Sequence, residues 1–237
     1  MTPLRIPYGG DENQFFELWQ PEQQVIGFAI FIHGGFWRAK YDLHHADEFC
    51  AALADRGMTV ANLEYRRVGQ PGGGWPGTFE DVVNGVRAAI TYVGKMPVLI
   101  GHSAGAQLAL CVANEPIPLK AVAAFAPVSD LRLAHKLDLS NGAVAEFLGG
   151  SPDSLVTRYD EACPSRKVLR VPTVLVHGTA DEDVPVEISR SFVQRKASDP
   201  EPPKLVELPG AGHMEVIDPN AQAGKTVIDL VVRLTQQ

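Results

Sequence analysis

Short apolar segments that alternate with amphipathic helical segments are the feature of this 237-residue chain that most restricts its fold. Several of these segments are continuously apolar, which is typical of central strands covered by helices on both faces. The alternation predicts a mainly parallel sheet built from β–α units. The predicted strands are Phe15–Trp19, Val25–His33, Met58–Leu63, Val98–Gly101, Ala121–Ala126, Thr173–His177 and Lys204–Leu208.

Helices are predicted between the strands. One is expected to begin at Thr78, because Thr78 and Asp81 in TFED have the spacing of a capping box and valines at helical spacing follow. In the last helix, Asp218 is the expected cap and Pro219 suits the first turn. Besides the helix that begins at Thr78, the predicted helices are Ala46–Arg56, Ala104–Asn114, Val186–Lys196 and, last in the chain, Pro219–Leu234.

The length of the chain predicts a single domain over residues 1–237. Within it, residues 131–168 form a long connection between two strands, with weak helical patterns near Ala143–Leu148 and Ser154–Asp160. Long connections inside compact domains are usually functional, so we expect this insertion to be a small cap over a pocket. The Gly/Pro-rich residues 66–77 are expected to form an ordered loop, since no GK[ST] motif follows the glycines.

Charge and composition exclude several classes of protein. The 28 acidic and 21 basic residues give a net charge of −7, and no Lys/Arg run marks a surface for nucleic acid or an anionic membrane. The longest apolar stretch, residues 25–32, is far shorter than the ~20 residues of a membrane-spanning helix. The first residues lack a signal-peptide pattern, so a cytoplasmic location is expected. Three scattered cysteines indicate neither a disulfide framework nor a cysteine zinc site.

A strand, the sequence GHSAG at 101–105 and a helix follow one another in this chain. In this context the serine occupies a sharp, strained turn that exposes its Oγ, and the glycines on either side relieve crowding. Ser103 is therefore the predicted nucleophile. The dipole of the following helix would point at an oxyanion formed there.

A serine nucleophile needs a histidine as base and a carboxylate to orient that histidine. His213 lies in a glycine-flanked loop after the last predicted strand, and it is preferred over the other six histidines. Asp181 and Asp183 both follow the strand Thr173–His177, and the spacing alone leaves them as alternatives. Both loops fall at the carboxyl ends of strands, on the same sheet edge as Ser103.

The loop His33–Trp37 follows another strand, and its two glycines allow backbone N–H groups to point toward Ser103. With the N–H of Ala104, these groups would form an oxyanion hole. An ordinary glycine turn is the alternative interpretation of the loop.

These motifs resemble those of the α/β-hydrolase superfamily over nearly the whole chain. The resemblance is to the HGGxW branch, which includes kynurenine formamidases and esterases related to hormone-sensitive lipase. The matching segments are HGGFW at 33–37, EYRR at 64–67, WPGTFEDV at 75–82, GHSAG at 101–105, HGTADEDVP at 177–185 and GAGH at 210–213.

The resemblance implies an α/β-hydrolase fold: a mostly parallel central sheet of about eight strands, helices on both faces and a small cap insertion. It implies a catalytic triad of Ser103, His213 and Asp181, which favours Asp181 over Asp183. It also implies an oxyanion hole formed by Gly34, Gly35, Phe36 and Ala104.

Phe36 distinguishes two substrates within this branch. The lipase-like esterases usually have a third glycine at this position, whereas kynurenine formamidases have a bulky residue followed by tryptophan, as in Phe36–Trp37. The resemblance therefore favours a metal-independent serine hydrolase that converts N-formylkynurenine to kynurenine and formate, with Phe36 and Trp37 as substrate-binding walls. No cofactor or metal is expected.

Three alternative functions remain at this point: a general short-chain carboxylesterase, a peptidase, and a ligand-binding homologue without catalysis. The expected partner is a small ester or formamide, with no nucleic acid or membrane. The sequence leaves the oligomeric state open, and a homodimer is one option.

Overall fold

The computed structural model describes residues 2–236 and contains one eight-stranded sheet. The strands are β1 (Leu4–Pro7), β2 (Phe15–Trp19), β3 (Gly27–Ile32), β4 (Met58–Leu63), β5 (Val98–His102), β6 (Ala121–Phe125), β7 (Thr173–Gly178) and β8 (Lys204–Leu208). Their order in the sheet is β1-β2-β4-β3-β5-β6-β7-β8; β1 and β2 are antiparallel to their neighbours and all other pairs are parallel.

Eight α-helices accompany the strands in the described part of the chain. Their bounds are α1 (Asp47–Asp55), α2 (Gly77–Val93), α3 (Ala104–Val112), α4 (Leu131–Lys136), α5 (Ala143–Leu148), α6 (Val156–Ala162), α7 (Val186–Arg195) and α8 (Gln222–Thr235). Helices α1 and α8 cover one face of the sheet, and the other six helices cover the opposite face.

Strand β3 shows why the central strands are continuously apolar. Phe28, Ile30 and Ile32 pack into the core on one face of the sheet, and Ala29 and Phe31 pack into the core on the other. Both sets of side chains are buried because helices lie on both sides. The prediction of a mostly parallel, doubly covered sheet is confirmed.

All seven predicted strands are present, and β1 is an additional edge strand. Its burial pattern is mainly exposed, so Leu4–Pro7 lacks the apolar run by which the other strands were predicted. Helix α8 begins at Gln222 rather than at Pro219, because Asp218 accepts a hydrogen bond from the Asn220 N–H (2.8 Å) in a turn that precedes the helix.

The predicted capping box at the start of α2 is wrong. The helix begins at Gly77, and Thr78 lies inside it, where its hydroxyl donates to the Arg66 carbonyl oxygen (2.5 Å). The Asp81 carboxylate accepts two hydrogen bonds from the Arg66 guanidinium, both 2.7 Å. Asp81 therefore forms an ion pair with Arg66 instead of capping its own helix. This ion pair holds the loop before α2 in place.

No helix within residues 2–236 is both long and apolar enough to cross a bilayer.

Candidate active site

Ser103 lies in the turn between β5 and α3. Its backbone has φ 56° and ψ −119°, and its N–H donates to the Phe125 carbonyl oxygen (2.8 Å). A positive φ is costly for a residue with a side chain and persists only where the surroundings enforce it. A Cβ on Gly105 would overlap the Ile32 carbonyl oxygen, and one on Gly101 would overlap the Gly105 carbonyl oxygen. The turn therefore requires glycine on both sides of the serine.

His213 and Asp181 lie in the loops that follow β8 and β7. His213 Nδ1 is 2.7 Å from Asp181 Oδ2, and the buried His177 approaches the same oxygen through Nε2 at 3.2 Å. Because the carboxylate can only accept, Nδ1 of His213 carries the proton and Nε2 is free to act as a base.

The environment of Asp181 keeps its carboxylate ionised. Burial by itself would raise the pKa of Asp181, but hydrogen bonds from His177 and His213, the charge of His213 and the Val184 N–H together hold this pKa below its ordinary value. Asp181 Oδ1 also accepts from the Asp183 N–H (3.0 Å) and the Val184 N–H (2.8 Å). The loop thus orients the acid toward the histidine.

The structure separates the two candidate acids. Asp183 is exposed, and within residues 2–236 its carboxylate makes no hydrogen bond to His213. Its backbone instead helps to orient Asp181. The geometry therefore favours Asp181 as the residue that orients the imidazole.

Ser103 and His213 line one cavity of about 230 Å³ at the carboxyl edge of the sheet. Ser103 is 1% exposed, and its Oγ makes no hydrogen bond to any described residue. Contacts between nucleophile and base often tighten only when substrate is bound, so a free Oγ in the cavity that His213 also lines is compatible with the predicted roles. The residues that line the cavity are Gly35, Phe36, Tyr41, His45, His102, Ser103, Asp183, His213 and Met214.

The loop after β3 lies directly against the nucleophile. A Cβ on Gly34 would lie 2.9 Å from the His102 carbonyl oxygen and 3.0 Å from Ser103 Cβ, which leaves no room for a side chain. Gly35, Phe36 and Trp37 all have positive φ. As the first residue of α3, Ala104 has an N–H without an intrahelical acceptor. The four residues predicted for the oxyanion hole thus surround Ser103.

A buried polar cluster holds this loop. His33 Nδ1 donates to the Gly34 carbonyl oxygen (2.8 Å), and His33 Nε2 lies 3.0 Å from Glu64 Oε1. Tyr65 stacks on the His33 ring and donates its hydroxyl to the His33 carbonyl oxygen (2.7 Å). Burial would raise the pKa of Glu64, but His33 and Arg67 lower it below its ordinary value. The sequence motif at 64–67 gave no sign of this supporting role.

Trp37 does not line the cavity, so its prediction as a substrate-binding wall is wrong. Its side chain is fully buried, its Nε1 donates to Gln107 Oε1 (3.0 Å), and its ring stacks on Phe147 of α5 at 4.4 Å. The Phe36 and Trp37 rings meet edge to face, with centroids 6.5 Å apart. Phe36 lines the cavity, as predicted.

Residues 131–168 form the helices α4, α5 and α6, but none of the described lining residues of the cavity belongs to this insertion. The lining therefore gives no support to a cap over the pocket. The insertion instead packs beside the loop His33–Trp37, called the oxyanion loop below. Phe147 stacks on Trp37, and Glu146 Oε2 accepts a hydrogen bond from Arg38 (2.7 Å).

Three cavity walls had no sequence signal. Tyr41, His45 and Met214 lie in loops or short turns and have no shared motif. The adjacent His44 and His45 point in different directions: His45 lines the cavity, whereas His44 pairs with Asp47 at 3.0 Å. Only the folded arrangement of the loops brings these side chains to the nucleophile.

Two groups of described residues could bind a metal ion, because their potential ligand atoms lie within 4.8 Å of one another. One group is Glu17, His44 and Asp47 on the surface, and the other is Asp181, Asp183 and His213. In the second group, His213 Nδ1 and Asp181 Oδ2 are already joined by a hydrogen bond, so each of these two residues has one potential metal ligand atom in use.

The strand order and the strained serine turn at the carboxyl edge of the sheet define an α/β-hydrolase. A family model assigns the chain more closely: the BD-FAE model matches residues 17–195, so the chain belongs to the BD-FAE family.

Two curated relatives and one solved structure show what this chain is similar to. Esterase LipC of Mycobacterium tuberculosis is 27% identical over 98% of this chain and 64% of LipC. A kynurenine formamidase of Meyerozyma guilliermondii is 30% identical over 46% of this chain and 42% of that protein. A truncated carbohydrate esterase from gut microbiota superimposes with a TM-score of 0.82 at 19% identity, covering 100% of this chain and 97% of that one.

The chain spans less than two thirds of the length of either curated relative. At 19% identity, the likeness to the carbohydrate esterase concerns the fold.

Proposed function

We propose that the protein is a serine hydrolase that cleaves a small carboxylic ester or an aryl formamide through an acyl-Ser103 intermediate. The observation that carries this proposal is the His213–Asp181 hydrogen bond of 2.7 Å beside a cavity that Ser103 also lines. The relatives named as an esterase and a formamidase support the same class of reaction.

In the proposed reaction, His213 Nε2 takes the proton of Ser103 Oγ as the oxygen attacks the substrate carbonyl carbon. Asp181 stabilises the resulting imidazolium. The negative charge on the carbonyl oxygen is stabilised by the Ala104 N–H and by N–H groups of the loop 34–36, and one such donor typically contributes ~3 kcal/mol.

Collapse of the tetrahedral intermediate breaks the bond to the leaving group, which receives the proton from His213. An acyl-Ser103 ester remains. His213 then takes a proton from a water molecule, whose oxygen attacks the acyl carbon, and the second tetrahedral intermediate releases the acid and restores Ser103. With a formamide substrate the acyl group is formyl and the acid is formate.

A small ester is the first candidate substrate. The relative named as an esterase aligns over 98% of this chain, whereas the relative named as a kynurenine formamidase aligns over 46%. The lining residues described for the cavity include Asp183 but no Lys or Arg, so none of them is a cationic partner for a substrate carboxylate.

An aryl formamide such as N-formylkynurenine is the second candidate. Phe36 lines the cavity, and Tyr41 and His45 provide further aromatic surface. Aromatic rings pack well against an aryl leaving group. A cytoplasmic location and a homodimer remain predictions from the sequence.

Reaction with a fluorophosphonate probe tests the serine mechanism. The native protein should be labelled, and Ser103→Ala should lose both labelling and hydrolysis of p-nitrophenyl acetate. Ser129→Ala is the matched control, because Ser129 is also fully buried with an unpartnered Oγ but does not line the cavity. Labelling of the Ser103→Ala variant, or none of the native protein, would contradict the proposal.

Comparison of kcat/KM for N-formylkynurenine and for short-chain p-nitrophenyl esters distinguishes the two substrates. A ratio that favours the esters by orders of magnitude would exclude the formamidase activity.

A further inference from the structure

His102 is a buried histidine that the proposed reaction does not use. It is the last residue of β5 and directly precedes Ser103. Its side chain is 1% exposed and borders the cavity. In the sequence, His102 is one of the six histidines over which His213 is preferred as the base.

The partner is the backbone of His213. His102 Nε2 donates to the His213 carbonyl oxygen at 3.0 Å, across 111 positions of sequence. The centroids of the two imidazole rings lie 4.6 Å apart. Within residues 2–236 this is the hydrogen bond that anchors the His213 main chain, while Asp181 anchors its side chain.

The rest of the loop is anchored at residues other than His213. Gly212 donates to Glu215 Oε2 (2.7 Å), and the Ala211 carbonyl oxygen accepts from the Ala180 N–H (3.0 Å). His102 therefore makes the direct link between the turn that carries the nucleophile and the residue that carries the base.

We propose that His102 is a positioning residue that sets the distance between Ser103 and His213 through its hydrogen bond to the His213 carbonyl oxygen. The inference rests on the proposed serine hydrolase function and adds a residue outside the triad to it. Because a displacement of about 1 Å in a catalytic group can lower a rate about 100-fold, this link would contribute to turnover through the position of His213.

The charge state of His102 agrees with this role. Burial, together with the repulsion that His213 and His45 exert when they are protonated, lowers the pKa of His102 well below its ordinary value. The ring is therefore neutral, with its proton on Nε2, and adds no positive charge beside His213 when that imidazole becomes protonated. Nδ1 of His102 makes no hydrogen bond to a described residue, so the contact to His213 is its one polar link.

Three substitutions separate the hydrogen bond from the bulk of the ring. In His102→Gln the amide N–H can occupy the position of Nε2, whereas in His102→Asn the same amide is one methylene too short. His102→Leu keeps apolar volume and has no donor. His135→Leu is the control, because His135 is a partly buried histidine on α4 outside the cavity.

The expected results are a loss of about 10- to 100-fold in kcat for the Asn and Leu variants with p-nitrophenyl acetate, and a KM within about threefold of native. The rate of fluorophosphonate labelling should fall in parallel. The Gln variant should recover most of kcat, and the His135→Leu control should equal the native protein.

Proton NMR distinguishes a positioning role of His102 from a merely structural one, because only a positioning role predicts different spectra for the Gln and Asn variants. The downfield resonance of the proton between His213 Nδ1 and Asp181 should stay sharp in the Gln variant and broaden in the Asn variant. If Gln and Asn variants are equally active, or if the Leu variant is labelled at the native rate, the positioning role is wrong. A native protein that fails to react with the probe contradicts the proposed function instead.

Discussion

The imidazole of His213 is held 2.7 Å from the carboxylate of Asp181, in loops that follow two neighbouring strands. Asp181→Asn should reduce kcat by about 10³- to 10⁴-fold, because an amide at this position favours the tautomer in which the base is no longer free. Steady-state hydrolysis of p-nitrophenyl acetate measures the loss. Asp183→Asn is the control and should retain most of kcat; equal losses in the two variants would mean that Asp181 is not the orienting acid.

The ionised state of Asp181 makes the stability of the protein depend on pH. Since the folded-state pKa of Asp181 lies below its ordinary value, the ionised group stabilises the fold above the unfolded pKa of about 3.9, and this contribution is lost as the pH falls toward the folded pKa. Urea unfolding of the native protein should lose more free energy between about pH 5 and pH 3 than that of Asp181→Asn. Parallel pH curves for the two proteins would contradict this linkage.

The contact between Gly34 and Ser103 predicts the effect of one methyl group. Gly34→Ala should lower kcat about 10- to 100-fold while the protein still folds, because the new Cβ must displace the oxyanion loop from the His102 carbonyl oxygen and Ser103. Gly10→Ala is a matched control, since among residues 2–236 nothing beyond its chain neighbours lies within 4 Å of the Cβ position. Kinetics and thermal unfolding of both variants test this; native kcat in Gly34→Ala would show that the loop position is unimportant.

Trp37 and Phe36 should respond to substitution in opposite ways. Trp37→Phe leaves the buried Gln107 Oε1 without its donor, which typically costs about 1–3 kcal/mol in the free energy of unfolding, with little change in KM. Phe36→Ala removes a wall of the cavity and should raise KM for aryl substrates. Chemical denaturation and Michaelis–Menten kinetics separate the two effects. A KM increase in Trp37→Phe that matches the one in Phe36→Ala would return Trp37 to the binding site.

The elements that could be predicted from the sequence are those with a local cause. The turn at Ser103 requires glycines two residues away on each side, and the buried strands require continuous apolar runs, so both are visible in a short window. Asp181 and His213 could be placed near Ser103 because loops at the carboxyl ends of parallel strands share one sheet edge.

The parts that could not be predicted depend on distant contacts. Asp81 is bound by Arg66 rather than by the start of its own helix, and Trp37 is covered by Phe147, 110 positions away. Tyr41 and Met214 reach the cavity from unrelated loops. In each case the position of the side chain depends on residues far away in the sequence, so no local sequence pattern predicts it.

Trp37 stacks on Phe147, so the insertion 131–168 is coupled to the proposed active site although none of its residues lines the cavity among those described. A volume change at Phe147 would be transmitted through the indole to the backbone amides beside Ser103, because tightly packed interiors pass strain to their neighbours. Sequence variation in α5 would therefore change the rate of the proposed reaction while every residue that lines the cavity stays the same.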